Sequence, residues 1–581
     1  MRDPLDPFSN VLLGDTEFIS RPGERPVPVC LVIRDFRTKH TTRLWSDELG
    51  PLPPHSTGPD TLFVAYLASA EVGFYSEVGW SPPTRIVDLY VEYRNRFNCL
   101  ETVVEQKLDK KDENKIKRNS LIGALTQFDL PTIGTAYKEK MRDLIQTGGP
   151  WTPAQKLEIE DYCEDDVIAL DRLLTAMLPQ LDIPRALYRG RYMACNASVE
   201  GNGISIDGEL LTRMRERWEP MQQELIARID TNYGVYEGTS FRRDKFERYL
   251  IDHEIQWPRY PSGSLILTDK TFREMSRIHP EISSLRELRY TLSNFRLHDL
   301  TVGSDNRNRC MTGAFGSCTS RNTPSSSRYI FGPGVWIRGL IKPPPGCGKA
   351  YIDWHSAEIG AAAAYSGDLV MQAAYNSRDV YLEFAKMAKA VPPDATRETH
   401  QLERALYKLC MLGANYGMEE HSLAIRIGQP VLVARRSLQH HREIFWRFWE
   451  WSDNRVRRAM LTGVTYTPFG WTYHVSTDPN PRSVRNFPMQ SGIAECLRLS
   501  ICLGVENGIK ICGSAHDAIL IEAPLDRLDS DIMRMRGYME QASEIVLNGF
   551  KLRTEFTAVR YPDRYMDERG RQFWDVVMSL L

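Results

Sequence analysis

Ala350-Tyr-Ile-Asp353-Trp-His-Ser-Ala-Glu358 reads as an apolar strand that ends in a carboxylate and runs straight into a helix. Two later segments give it meaning: Arg404-x3-Lys408-x3-Leu412-Gly413-x2-Tyr416-Gly417, and His516-Asp517. Lys510 to Ala523 reads as a hairpin with His516-Asp517 at its turn. If hairpin and strand are neighbours, Asp353 and Asp517 converge. Two such carboxylates suit a pair of Mg²⁺ ions about 4 Å apart, one activating a hydroxyl and one neutralising a departing pyrophosphate. Arg404, Lys408, Leu412 and Tyr416 recur every four residues and so share one slowly drifting helical stripe. Its two cations suit triphosphate oxygens, Arg as a planar fork and Lys as a flexible point charge able to protonate pyrophosphate. An isolated Asp is usually a cap or a surface residue, and an isolated charged helix is usually a solvated face. The order and spacing of the three segments carry the reading.

A second acidic set lies upstream. Leu12-Leu-Gly-Asp15-Thr-Glu17-Phe is an apolar run leading into Asp-x-Glu, and strand alternation puts both carboxylates on one face. Tyr162-x3-Asp166 is spaced to reach one site from a helix. The two motifs resemble those of 3′-5′ exonucleases, and the resemblance implies a middle acid between them. Glu71, in Ala68-Ser-Ala-Glu71-Val-Gly with Gly79-Trp80 following, is the first choice; Asp88 competes, and is structural if Glu71 takes the role.

The 581 residues are 42% hydrophobic and 25% charged, an ordinary globular balance that calls for three or four folding units. No apolar run reaches the length of a membrane span, and the opening Met1-Arg-Asp-Pro-Leu5 lacks a basic-then-apolar leader, so a cytoplasmic protein without membrane association is expected. The eleven cysteines include no Cys-x2-Cys pair, which argues against a zinc knuckle and against a secreted disulfide framework. Net charge is only -2, without the basic excess of many nucleic-acid binders. Acidic metal sites would offset basic grooves in that total.

Residues 1–180 alternate strand-like and helical stretches, with Val29–Ile33 a strand and Thr152-Pro153 opening a helix through Met177. Leu181-Asp-Ile-Pro184 reads as a linker. Glu209–Tyr233 and Glu281–Phe295 read as amphipathic helices, residues 303–348 as loops and turns, and 368–462 as helical. The charged Lys107–Arg118 stretch reads as solvated. Pro345-Gly-Cys-Gly-Lys349-Ala350 fails as a phosphate loop, lacking the first Gly and the hydroxyl after Lys. The aromatic Phe445–Trp451 run reads as core, and Arg455, Arg457 and Arg458 as phosphate contacts.

The C-terminal segments resemble the three polymerase motifs of family A DNA polymerases. Asp353 and Glu358 match the first, Arg404, Lys408, Gly413, Tyr416 and Gly417 the second, and His516-Asp517 the third. Arg482, Asn486, Pro488 and Gln490 resemble a further family element that tracks the primer-template minor groove, and Thr319-Ser-Arg321 resembles one at the primer terminus. The resemblance implies that Asp353 and Asp517 bind metal, Arg404 and Lys408 hold the triphosphate, Glu358 gates against a 2′-hydroxyl, Tyr416 lies beneath the incoming base and His516 positions the primer terminus. Leu412 stands where the family has Phe or Tyr, Ala518 replaces a Glu, Ser491 a Gly, and Trp354 and Ser356 a Tyr and a Gln.

The upstream set resembles 3′-5′ exonucleases, implying metal at Asp15, Glu17, Glu71 and Asp166 and a water oriented by Tyr162. The expected fold is an RNase H-like α/β exonuclease domain (1–180), a linker and thumb (181–302), and an α+β right hand with palm (303–367 and 463–581) and fingers (368–462). The implied enzyme is a monomeric proofreading polymerase using primer-template DNA, dNTPs and two Mg²⁺ per active site, with Mn²⁺ as the alternative ion. Its replisome partners are not legible. A separate 5′-nuclease domain is not expected, and the architecture suggests a phage or virus replicative enzyme in host cytoplasm. The alternatives are a DNA-gripping 3′-5′ exonuclease with an inactive polymerase half and a single-subunit RNA polymerase; Glu358 and the upstream nuclease disfavour the latter.

Overall fold

The computed structural model describes residues 3–101, 117–294, 297–332, 334–476 and 478–581. Most of the charged Lys107–Arg118 stretch therefore lies outside the described residues. The N-terminal unit is a five-stranded sheet in the order Thr41–Trp45, Val27–Asp35, Asn10–Ile19, Thr61–Ala65, Arg85–Asp88. The first three strands pair antiparallel and the last two join in parallel. Thr61–Ala65 is buried throughout, as a parallel strand covered on both faces must be. The helix Pro153–Met177 closes one face. Thr152 accepts the Gln155 N–H, Gln155 reaches back, and Pro153 takes the first turn, where no N–H is needed.

The Leu181–Pro184 segment contracts to a cap: Asp182 accepts the Arg185 N–H at the start of the helix Ile183–Asn202. This helix crosses the strand Arg85–Asp88 at Gly190, where a Cβ would stand 2.0 Å from the Ile86 carbonyl oxygen. One residue earlier, Arg189 donates two 2.6 Å hydrogen bonds to buried Glu92. The helix also packs on Pro481–Glu506 and Ile511–Ala515, so one hydrophobic core runs from the N-terminal sheet into the C-terminal half. The Glu209–Tyr233 stretch is two helices, Gly208–Glu216 and Trp218–Asp230, because the backbone leaves helical geometry at Arg217 (φ -95, ψ 9). Their apolar faces share a second core with Ser283–Asn294 and the underside of the C-terminal sheet.

That sheet has the order Ile511–Ala515, Ala518–Pro524, Cys347–Trp354, Thr554–Arg560, all antiparallel. Between its first and later strands the chain inserts the helices Leu369–Asn376, Val380–Met387, Gln401–Asn415, Glu420–Ile427, Val431–Ile444 and Trp446–Thr462. The aromatic run splits by face: Phe445 and Phe448 are buried, whereas Trp446 is 54% exposed. Arg455 donates to Thr465 and to the Tyr466 carbonyl.

Register in the sheet is fixed by charge. Lys349 lies opposite Glu522, with side chains 0% and 3% exposed, and its Nζ donates to Glu522 at 2.8 Å. Arg307 and Lys510 also donate to Glu522. Burial alone would raise the Glu522 carboxyl, but these cations hold it well below the usual range. Removing its charge leaves a buried Lys349 uncompensated. Glu522→Gln is expected to cost about 3–5 kcal/mol in urea unfolding; a change within about 0.5 kcal/mol would show that the cluster does not constrain the sheet.

Candidate active sites

Asp353 is the penultimate residue of the strand Cys347–Trp354 and pairs with Ala518 across the sheet. Asp517, in the His516-Asp517 turn, is therefore its neighbour. The turn is tight, with His516 in left-handed backbone (φ 58) and its side chain exposed. The expected convergence of the two carboxylates is what the structure shows. Burial, then the charges of Asp517 and Glu555, push Asp353 up to about 8, and the two carboxyl groups share a hydrogen bond. Burial also raises Asp517, while Arg321 and His516 pull the other way. Asp353 Oδ1 is buried and has no hydrogen-bond partner. Two like-charged carboxylates with an unsatisfied oxygen fit a divalent cation: an ion would supply the charge that a shared proton supplies here.

Glu358, in the first turn of Ala357–Ser366, is held at both oxygens. Arg321 donates to Oε1 at 2.6 Å, and the Tyr416 hydroxyl donates to Oε2. Tyr416 follows directly on the helix Gln401–Asn415, whose outward stripe carries Arg404, Lys408 and Leu412. Both cations gather over one ring: the Arg404 guanidinium is 5.6 Å and the Lys408 ammonium 5.5 Å from the centre of Tyr381. Arg404 is also ion-paired with Asp379. Arg482, Asn486 and Gln490 follow at four-residue intervals along Pro481–Glu506. Arg482 pairs with Glu419 at 2.8 Å, and Asn486 Oδ1 is buried without a partner.

Sequence reading missed Asp379, Tyr381 and Glu555. Glu555 sits directly across from Asp353 on the strand Thr554–Arg560 and adds its charge to the dyad. Nothing local marks any of the three, since pairing and helix packing alone bring them in.

In the N-terminal unit, Asp15 and Glu17 lie on the strand Asn10–Ile19, Glu71 on the helix Ser69–Val78, and Tyr162 and Asp166 on Pro153–Met177. The four acids form one electrostatic group. Burial and then Asp166 push Asp15 up to about 7; burial and then Asp15 raise Glu17 and Glu71. The two choices for the middle acid separate clearly. Asp88 is committed to backbone, accepting N–H groups from Leu67, Ala68, Tyr90 and Val91. Glu71 is 3% exposed and its Oε2 has no partner. An unsatisfied buried oxygen beside two further carboxylates is the donor set that a divalent cation needs. Two residues escaped the sequence reading. Lys138 clamps both oxygens of Asp166 at 2.9 and 2.6 Å, and Cys163, which follows Tyr162 inside the quoted motif, hydrogen-bonds Asp15.

Residues 330–558 match the family model described as DNA polymerase family A. That stretch includes Asp353, Arg404, Lys408 and Asp517 and excludes every acid of the N-terminal site. No curated protein sequence matches the chain. A solved structure described as the POL domain of Pol1 from M. smegmatis in complex with DNA primer-template and dNTP aligns with TM-score 0.69 at 15% identity, covering 99% of this chain and 96% of that one. The likeness is one of fold, and it supports the right-hand arrangement of the C-terminal half. No helix among the described residues is long and apolar enough to cross a membrane.

The shared proton has a stability signature. Folded Asp353 holds its proton to about pH 8, whereas its ordinary value is 3.8. Between those values the folded state binds the extra proton, so this group's contribution falls as pH rises and is complete only below the lower value. In metal-free buffer, stability in urea should decline between about pH 4 and pH 8, and less steeply in Asp353→Asn. The difference between the two proteins is the readout, because the N-terminal acids tilt both curves the same way. Equal slopes would show that the dyad shares no proton.

Proposed function

We propose that this chain is a template-directed DNA polymerase that extends a primer 3′ end with deoxynucleotides and edits with a 3′-5′ exonuclease in residues 1–180. The observation that carries the reading is the Asp353–Asp517 pair at the end of the central palm strands, beside a helix bearing Arg404 and Lys408. Asp353 and Asp517 would hold Mg²⁺, with Mn²⁺ as the alternative; bound there, the ions supply charge for hydroxyl activation and for the departing pyrophosphate. Arg404 and Lys408 grip the triphosphate, and Lys408, exposed and flexible, is placed to give its proton to the pyrophosphate.

Glu358 is the sugar gate. Arg321 and Tyr416 fix its carboxylate in one position, so a ribose 2′-hydroxyl meets an immobile acceptor wall rather than a side chain free to move aside. Leu412 replaces an aromatic side chain on the same stripe and bears on the sugar 3′ position. Arg321, Arg482, Asn486, Gln490 and His516 contact primer-template DNA in this reading. In the N-terminal unit Asp15, Glu17, Glu71 and Asp166 would hold divalent cations, which when bound would supply charge for activating a water, and Tyr162 would orient that water. A replicative, phage-type role as a cytoplasmic monomer completes the proposal.

Primer extension on a primed template with Mg²⁺ tests both halves. Asp517→Ala should lose extension on the order of a thousandfold while still degrading primer, and Asp15→Ala should do the reverse. A wild-type protein that degrades but never extends would reduce the C-terminal half to a DNA grip. Chelation by EDTA should stop both activities. Glu358→Ala should raise ribonucleotide incorporation at least about tenfold relative to deoxynucleotide. An unchanged ratio would remove Glu358 from sugar selection, and a wild-type preference for ribonucleotides would point to an RNA polymerase.

A further inference from the structure

The N-terminal site contains a sulfur donor that Mg²⁺ chemistry does not use. Cys163 Sγ lies 3.4 Å from the Asp15 carbonyl oxygen and 3.5 Å from Asp15 Oδ2. Among the described residues, Asp15, Glu17 and Cys163 each bring one ligand atom to within 4.8 Å of the others. Cys163 is fully buried, and its thiol also hydrogen-bonds Cys30, the residue paired with Glu17 across the sheet. An independent observation points to a ligand at the same place: Glu71 Oε2, on a different helix, is buried without a partner and feels the charges of Asp15 and Glu17.

The geometry suits a soft or borderline ion. Zn²⁺ binds thiolate at about 2.3 Å and carboxylate at about 2.0 Å in a tetrahedron, which puts sulfur and oxygen about 3.5 Å apart. The Sγ–Oδ2 separation is 3.5 Å. Mg²⁺ instead demands six oxygens near 2.1 Å and gains nothing from sulfur. Thiolate therefore tilts selectivity toward Zn²⁺ and Cd²⁺.

We propose that Cys163, Asp15 and Glu17 form a thiolate-containing site for Zn²⁺, and that Zn²⁺ bound there blocks the Mg²⁺-dependent nuclease. On binding, the Cys163 S–H proton is released to solvent and the sulfur lone pair goes to the ion; no oxidation occurs. The blocking consequence rests on the nuclease reading above, whereas the metal site does not.

Cd²⁺ serves as the spectroscopic probe, because sulfur-to-metal charge transfer absorbs in the ultraviolet. The full chain is titrated with Cd²⁺ in parallel with Cys163→Ser and, as a control for an exposed thiol elsewhere, Cys318→Ser. The proposal expects a saturable band in wild type and in Cys318→Ser that Cys163→Ser lacks. It also expects Zn²⁺ to inhibit primer degradation at concentrations at least about tenfold lower in wild type than in Cys163→Ser. A full band in Cys163→Ser overturns the site. A band lost in Cys163→Ser from a wild type that never degrades primer upholds the site and rejects the nuclease reading. Should Cys163→Ser fail to fold, Glu17→Gln provides the second test: Cd²⁺ affinity is expected to fall at least about tenfold, and unchanged affinity overturns the proposal.

Discussion

The pairing of Lys349 with Glu522 inside the C-terminal sheet is the constraint on which the Asp353–Asp517 dyad depends. A β-ladder slipped by one residue sends every side chain to the opposite face. Here such a slip would bury Lys349 against apolar neighbours with no counter-ion, and it would strand Glu522 away from Arg307 and Lys510. Buried ion pairs are weak sources of stability, but a mismatched one is expensive, so they discriminate between registers more than they stabilise any one. Four residues along the strand from Lys349, the same register sets Asp353 beside the His516-Asp517 turn. The geometry of the acidic dyad is thus specified from the protected end of the sheet.

The two acidic centres handle their self-repulsion differently. At the C-terminal dyad the nearby cation is Arg321, and it is already engaged with Glu358, so Asp353 retains a proton. In the N-terminal unit Lys138 neutralises Asp166 directly, yet Asp15, Glu17 and Glu71 remain raised by burial and by one another. Both centres are assembled so that the folded chain without a divalent cation is held under electrostatic tension. Such tension favours cation uptake, because an ion entering either site discharges repulsion that folding has already imposed.

Much of this was legible where chemistry and local periodicity coincide. The strand ending at Asp353, the hairpin turn at His516-Asp517, the Arg404–Tyr416 stripe and the Thr152-Pro153 cap each depend on residues within one or two elements, and each appears where the spacing puts it. What was illegible depends on pairing between distant elements. Glu555 faces Asp353 only because Thr554–Arg560 adds to the far side of the same strand, and Lys138 reaches Asp166 only because two helices pack together. For the same reason the sequence favoured Glu71 as the middle acid while leaving Asp88 in competition. Glu71 and Asp88 are both buried carboxylates, and only the fold reveals that one caps a helix while the other is left unsatisfied. The break at Arg217 eluded periodicity because the apolar pattern continues across it with the phase of a single helix.

The helix Ile183–Asn202 decides how the two halves relate. It meets the N-terminal sheet through Gly190, with no room for a side chain, and through the bidentate Arg189–Glu92 pair; its other faces pack on the helix Pro481–Glu506 and the edge strand Ile511–Ala515. A hinge at this helix would separate a buried ion pair and open a shared core, costs far above thermal energy. The two acidic centres are therefore fixed relative to each other on the protein side. If one site extends a primer and the other trims it, the 3′ end itself has to travel, by unpairing from the template and crossing the surface between them. The partition between synthesis and editing would then be set by how readily the primer terminus melts, which is a property of base pairing, rather than by movement of the N-terminal unit.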